Sequence, residues 1–192
     1  FGDSTDNHFR IWYTDHANHA DFENPGDPTH IVSYLGVLQQ ALRDLSAWVE
    51  KGIAPPATTS YKIKDGQVVT PASAAERKGI QPVVAVKVNG GERTEAKVGK
   101  PVTFTAIIEV PPNTGKVVAA EWDFEGGGTF SVAQKLSPAN IKDSRVTLKT
   151  NYKFSKPGTY FTTLRVTSQR EGNAKTPYAR IRNLGRVRVV VK

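Results

Sequence analysis

Residues 152–166 read Tyr152-Lys153-Phe154-Ser155-Lys156-Pro157-Gly158-Thr159-Tyr160-Phe161-Thr162-Thr163-Leu164-Arg165-Val166, and the fold turns on how they are read. Pro157-Gly158 breaks the run, because proline has no N–H to give to a ladder and glycine suits a tight turn. After the break the side chains alternate. Tyr160, Thr162, Leu164 and Val166 share one face, and Phe161, Thr163, Arg165 and Thr167 the other. Residues 144–154 before the break have the same composition, so the stretch is two strands joined by a turn.

Further strands are expected on both sides, at 82–89, 100–110, 115–125, 144–154, 158–169 and 185–192. Val102, Phe104, Ala106 and Ile108 form the inward set of the second. Six or seven short strands in about 110 residues, separated by turn signals, specify an antiparallel β-sandwich.

The region Gly115–Ser168 resembles a PKD (polycystic-kidney-disease) repeat, an immunoglobulin-like sandwich. That family pairs a W-x-F-G-D-G strand and turn with a later Y-x-F-x-x-P-G-T-Y-x-V-x-L-x-V strand pair. Here the first motif is Glu121-Trp122-Asp123-Phe124-Glu125-Gly126-Gly127-Gly128, which departs from the pattern after Phe124. The second motif is residues 152–166. Residues 82–192 would be the whole module, with Trp122 buried between the sheets. The resemblance implies an extracellular, secreted or periplasmic accessory module, a spacer or partner surface near a polymeric substrate such as a polysaccharide. Some relatives bind calcium at a loop, and Asp123, Glu125 and Asp143 could supply hard oxygen ligands.

The N-terminal part is different. Residues 8–14, HFRIWYT, are expected to form a strand, followed by a polar loop, DHANHADFENPGDPTH, that is rich in proline, glycine and aspartate. A helix is expected over 31–51. Ile31, Tyr34, Leu35, Leu38, Ala41, Leu42, Leu45, Trp48 and Val49, spaced by three and four, make one apolar stripe. Thr29 is the expected N-cap and Gly52 the C-cap, with Pro55-Pro56 preventing continuation. Residues 55–81 read as a connector with one hairpin, YKIKDGQVV, turning at Asp65-Gly66. The expected architecture is therefore mixed: a strand-loop-helix segment (1–54), a connector and a C-terminal sandwich.

The order strand, histidine-bearing loop and long helix resembles the last segment of an α/β-hydrolase, whose catalytic histidine follows the final strands. This implies a serine esterase, with His19 as general base and His16 as the alternative. No G-x-S-x-G occurs in the chain, so at most one triad member is supplied here. Phe1 is not a natural translation start, and a larger domain is expected before it. On this reading the chain is the C-terminal portion of a secreted hydrolase, not catalytic alone. The alternative is a non-catalytic extracellular binding or adhesion module.

Composition narrows the rest. With no cysteine, disulfides, thiolate metal sites and thiol catalysis are excluded. No apolar run is long enough to span a membrane. The net charge is +8, yet the first thirty residues carry −5 and hold all four histidines. A basic body favours polyanions such as anionic polysaccharide. Its lysines and arginines are scattered along strands, however, as on a solvated surface, and no nucleic-acid motif is present. His16-x-x-His19 lacks the helical register of a zinc-protease motif, so no metal centre is expected there. The helix stripe needs a cover, either a parent hydrolase domain or a second copy of the chain.

Overall fold

The computed structural model describes residues 2–18, 26–137, 141–142 and 144–192. After a short 3-10 turn at Gly2–Asn7 come helix α1 (Leu35–Lys51) and the hairpin β1 (Lys62–Lys64) and β2 (Gln67–Val69). A one-turn helix α2 (Ala74–Arg77) leads into the sandwich. Its strands are β3 (Val83–Val88), β4 (Arg93–Ala96), β5 (Pro101–Glu109), β6 (Lys116–Asp123), β7 (Val132–Ala133), β8 (Ile141–Lys142), β9 (Arg145–Lys153), β10 (Gly158–Gln169) and β11 (Ile181–Val191).

Two sheets face each other. One has the order β3-β5-β9-β8, the other β4-β11-β10-β6-β7. All pairings in them are antiparallel except β4 on β11. This is an immunoglobulin-like sandwich with a short helix before it, as the alternating pattern requires. Between the sheets lie Val102, Phe104, Ala106 and Ile108 from β5, Trp122 from β6, Leu148 from β9, and Leu164 and Val166 from β10. Trp122 is fully buried and lies within 6 Å, ring centre to ring centre, of Phe104 (5.7 Å) and Phe124 (5.3 Å). Phe124 stacks in turn on Tyr152 at 4.3 Å. The Tyr160 hydroxyl donates to the Lys156 carbonyl at 2.9 Å and pins the Pro157-Gly158 corner, as tyrosines do at this corner of such sandwiches. Gly185 lets β3 lie close to β11, since a Cβ there would sit 2.6 Å from Val86 Cγ2.

The N-terminal third differs from expectation in two places. Residues 9–14 belong to no strand. Their neighbour is the irregular run 56–59, bonded through Thr59 N–H to the Ile11 carbonyl (2.9 Å) and the Trp12 indole to the Pro56 carbonyl (3.2 Å). A proline-bounded run offers too few N–H groups for a ladder. The helix begins at Leu35 and not at Ile31, and Thr29 is not its cap. Val32 is already engaged in a parallel bridge with Ala17, and the Thr29 N–H and hydroxyl are both spent on Asp27. The other end is as expected. Gly52, at φ 66°, closes the helix: its N–H donates to the Trp48 carbonyl (3.0 Å) and the Ile53 N–H to the Ala47 carbonyl (3.2 Å). The hairpin also turns at Asp65-Gly66, both with positive φ, as the Asp-Gly pair favours.

The connector is fastened to the body. Ile80, Gln81, Ala74 and Thr59 are buried. Ser73 caps α2, accepting from the Glu76 N–H at 3.3 Å while its hydroxyl donates to the Glu76 carboxylate at 3.0 Å. Among the described residues no helix is long and apolar enough to cross a membrane.

Candidate functional site

His19 lies outside the described residues. His16 is exposed at φ 60°, and its Nδ1 is 2.9 Å from Asn183 Oδ1. Asn183, on β11, is buried. Its amide nitrogen donates to the Pro82 carbonyl and its oxygen also accepts from the Leu184 N–H. That orientation makes Nδ1 of His16 the donor. Beside it, Gln81 accepts from the Asp15 N–H at 2.8 Å and donates to the Asp15 and Arg182 carbonyls. Arg77 donates to the Asp15 carboxylate at 2.6 Å. Together these contacts fasten the N-terminal segment to the edge of the sandwich. His30 sits 2.7 Å from Asp27, and its hydrogen bond, followed by that of Thr29, holds the exposed Asp27 carboxyl below its ordinary value.

The proposed calcium ligands are engaged in the loop after β6. Asp123 is buried, and its two carboxylate oxygens accept from the N–H groups of Gly126 (2.9 Å) and Gly128 (2.6 Å). Both glycines have positive φ, and a Cβ on Gly126 would lie 2.9 Å from the Phe161 carbonyl oxygen. Gly126 is therefore required by its positive φ and by the close approach of β10. Glu125 accepts from the Tyr152 hydroxyl at 3.0 Å; burial first, and then this hydrogen bond, raise the tyrosine above its usual range. Asp143 lies outside the described residues. No group of three or more metal-ligating side chains is found among the described residues.

Two surfaces are left open. The first is the outward face of the five-stranded sheet. Register puts Phe161 opposite Arg188, Thr163 opposite Arg186, and Arg188 beside Arg93 of β4. Side chains at directly paired positions share a face, so Arg93, Arg186, Arg188 and Phe161 form one cluster. The Arg186 guanidinium lies 5.0 Å above the Phe161 ring, which is 44% exposed. Arg165 lies 4.2 Å over Phe130 and pairs with Glu121 at 3.2 Å. Among the described residues neither Arg186 nor Arg188 has a carboxylate partner. The Arg186–Phe161 stack gives a flat face with a fixed positive charge.

The second surface is the stripe on α1. The helix meets the body through its opposite side, where Gly36, Val37 and Gln40 are buried. Gln39 accepts from the Ala179 N–H at 2.7 Å, and Arg170 pairs with Asp44 at 2.8 Å. A groove of about 390 Å³ runs between α1 and the 8–12 arm, with Phe9, Leu38, Leu45 and Trp48 in its lining. Arg10 covers one end, stacked over Trp48 at 5.1 Å.

The sandwich is immunoglobulin-like, and the family model described as PKD domain matches residues 85–177. Solved structures similar to this chain include the PKD domain of an M14-like peptidase from a Thermoplasmatales archaeon. It is 14% identical over 59% of this chain and 98% of that one, with a TM-score of 0.40. A second is the CARDB domain of a Pyrococcus furiosus protein in complex with di-metal ions. It is 16% identical over 59% of this chain and 96% of that one, with a TM-score of 0.36. No curated protein matches. The resemblance of the N-terminal part to an α/β-hydrolase is not supported by these matches.

The basic cluster was missed in the sequence. Its signal was the i, i+2 pair Arg186 and Arg188 in GRVRVVVK, which a strand puts on one face. The contributions of Phe161 and Arg93 come from other strands, so only the pairing register reveals them.

Proposed function

We propose that this chain is a non-catalytic extracellular binding module of PKD type, and that the outward face carrying Phe161, Arg186, Arg188 and Arg93 contacts an anionic polysaccharide. The observation that carries the reading is the Arg186–Phe161 stack beside Arg188. An aromatic face with adjoining guanidinium groups suits a sugar ring bearing carboxylates: the ring packs on the apolar face and the forks take the anions. The module reading is favoured over the hydrolase tail because His16, Asp15 and their partners bind the N-terminal segment to the sandwich.

Retention of the purified chain on an immobilised polyuronate and on a neutral glucan tests this. Retention on the polyuronate alone, weakening as salt rises, is expected, because exposed charges are screened beyond a Debye length of about 8 Å at physiological ionic strength. The variant carrying Arg186→Ala and Arg188→Ala should elute earlier. Equal retention on both matrices, or no change in the variant, would refute the proposal. Hydrolysis of a simple aryl ester by the chain would restore the enzymatic reading.

A further inference from the structure

We infer that one end of the sandwich docks on an anionic lipid surface. Two turns meet there. In the first, Lys97-Val98-Gly99-Lys100, the Lys100 N–H donates to the Lys97 carbonyl at 3.1 Å, and Gly99 takes φ 72°. The second is the corner Ser155-Lys156-Pro157-Gly158. The Gly99 N–H donates to the Phe154 carbonyl at 2.8 Å, and the Val98 N–H to the Lys192 carbonyl at 3.1 Å, so the first turn is tied to two strand ends. Lys153 lies directly opposite Pro101 in the β5–β9 ladder. Lys97, Lys100, Lys153 and Lys156 therefore share one tip, although more than fifty residues separate the two pairs in sequence.

Charge points to the occupant. All four lysines are exposed, and among the described residues none has a carboxylate partner. The acids bonded to neighbouring groups are already engaged: Glu95 with Lys192 at 2.6 Å, and Glu125 with the Tyr152 hydroxyl at 3.0 Å. The far end of the molecule has the opposite sign. The first thirty residues carry −5, and they are fastened where β11 begins, by His16 on Asn183. The eleven residues of β11 span roughly 35 Å between the two ends. A charge separation of this kind turns the lysine tip toward a negative surface and the acidic head away from it.

The chemistry of the tip differs from that of the arginine face. Neither turn contains an aromatic residue on which a sugar ring could pack. Lysine ammonium groups are point charges on flexible stems, which suit phosphates in many orientations, whereas the guanidinium fork selects a planar carboxylate. Between Lys97 and Lys100 stands Val98, 40% exposed. An apolar side chain flanked by lysines matches the headgroup boundary, where the apolar atoms sink and the ammonium groups stay among the phosphates.

Flotation of the chain with phosphatidylcholine vesicles, plain or carrying about 30% phosphatidylglycerol, tests this. Binding is expected on the anionic vesicles alone, and it should fall as salt screens the charges. Each lysine near such a surface raises partitioning about five-fold, so Lys97→Gln with Lys156→Gln should lower it about 25-fold. Lys62→Gln with Lys64→Gln removes the same charge from the exposed β1–β2 hairpin and should change it by about two-fold at most. All four side chains are exposed, so both variants should keep the native circular dichroism. No binding to anionic vesicles, equal binding to plain ones, or an equal loss in the hairpin variant overturns the inference. So does a tip variant that loses retention on polyuronate while its vesicle binding is unchanged, which would assign the tip to polysaccharide. Polysaccharide binding by the sheet face is read through Arg186 and Arg188 and stands or falls separately.

Discussion

Gly36→Ala gives the clearest test of how the helix is held. In an isolated helix the change should be neutral or stabilising, by up to about 1 kcal/mol. In this protein a Cβ on Gly36 would lie 2.0 Å from the Arg180 carbonyl oxygen and 2.5 Å from its carbon. Backbone at that range cannot yield as a flexible side chain would. The helix must move away by more than an ångström, which breaks the Gln39–Ala179 hydrogen bond and stretches the Asp44–Arg170 pair. The hydrogen bond is worth about 1 kcal/mol, burial of Val37 about 1.5 kcal/mol, and the half-buried ion pair about 1 kcal/mol. Set against the propensity gain, the helix should lose about 2–3 kcal/mol of docking free energy. Hydrogen exchange reads this directly. Amides in α1 should exchange about 30- to 150-fold faster in the variant, while those of β5 and β10 keep their protection. Unchanged or slower exchange in α1 would refute the close approach of the helix to the Arg180 backbone.

Other outcomes follow from the core, the β6 loop and the acidic head. Trp122→Ala should destabilise the sandwich by about 3–5 kcal/mol in urea unfolding, since the ring is fully buried among Phe104 and Phe124. Asp123→Ala leaves two loop N–H groups without their acceptor and should cost about 3 kcal/mol, read by the same unfolding curve. Millimolar calcium should leave the melting temperature of the wild-type chain unchanged, because both Asp123 oxygens are already engaged. A rise would show that the loop takes a cation. Asp27 should titrate below its ordinary value, and His30→Gln should move it back up by more than Thr29→Val does. A depressed folded-state value means that its contribution is present above the unfolded-state value and lost as the pH falls through the folded one. A carboxyl resonance titrating at or above its ordinary value would contradict this.

How much could be read in advance depended on where the partners of each residue lie. The six longer strands β3, β5, β6, β9, β10 and β11 were legible because every second residue enters one continuous core, so the period of two survives in the sequence. The Gly52 cap and the Asp65-Gly66 turn were legible because each depends only on its own backbone conformation. The start of α1 was not, because Val32 is claimed by Ala17, fifteen residues away. Residues 9–14 have strand-forming side chains but face Pro55, Pro56 and a run without a free ladder edge. The short strand β4 was missed, being charged and only four residues long. The sheet-face cluster draws on residues 93, 161, 186 and 188, and nothing before the register brings them together.

The most direct measurement of the central claim is an NMR titration of the labelled chain with a short uronate oligosaccharide. The account predicts shifts concentrated at Phe161, Arg186, Arg188 and Arg93, with α1 and the 15–18 segment unmoved. Shifts centred on His16 and the 15–18 segment, or no shifts at all, would contradict it.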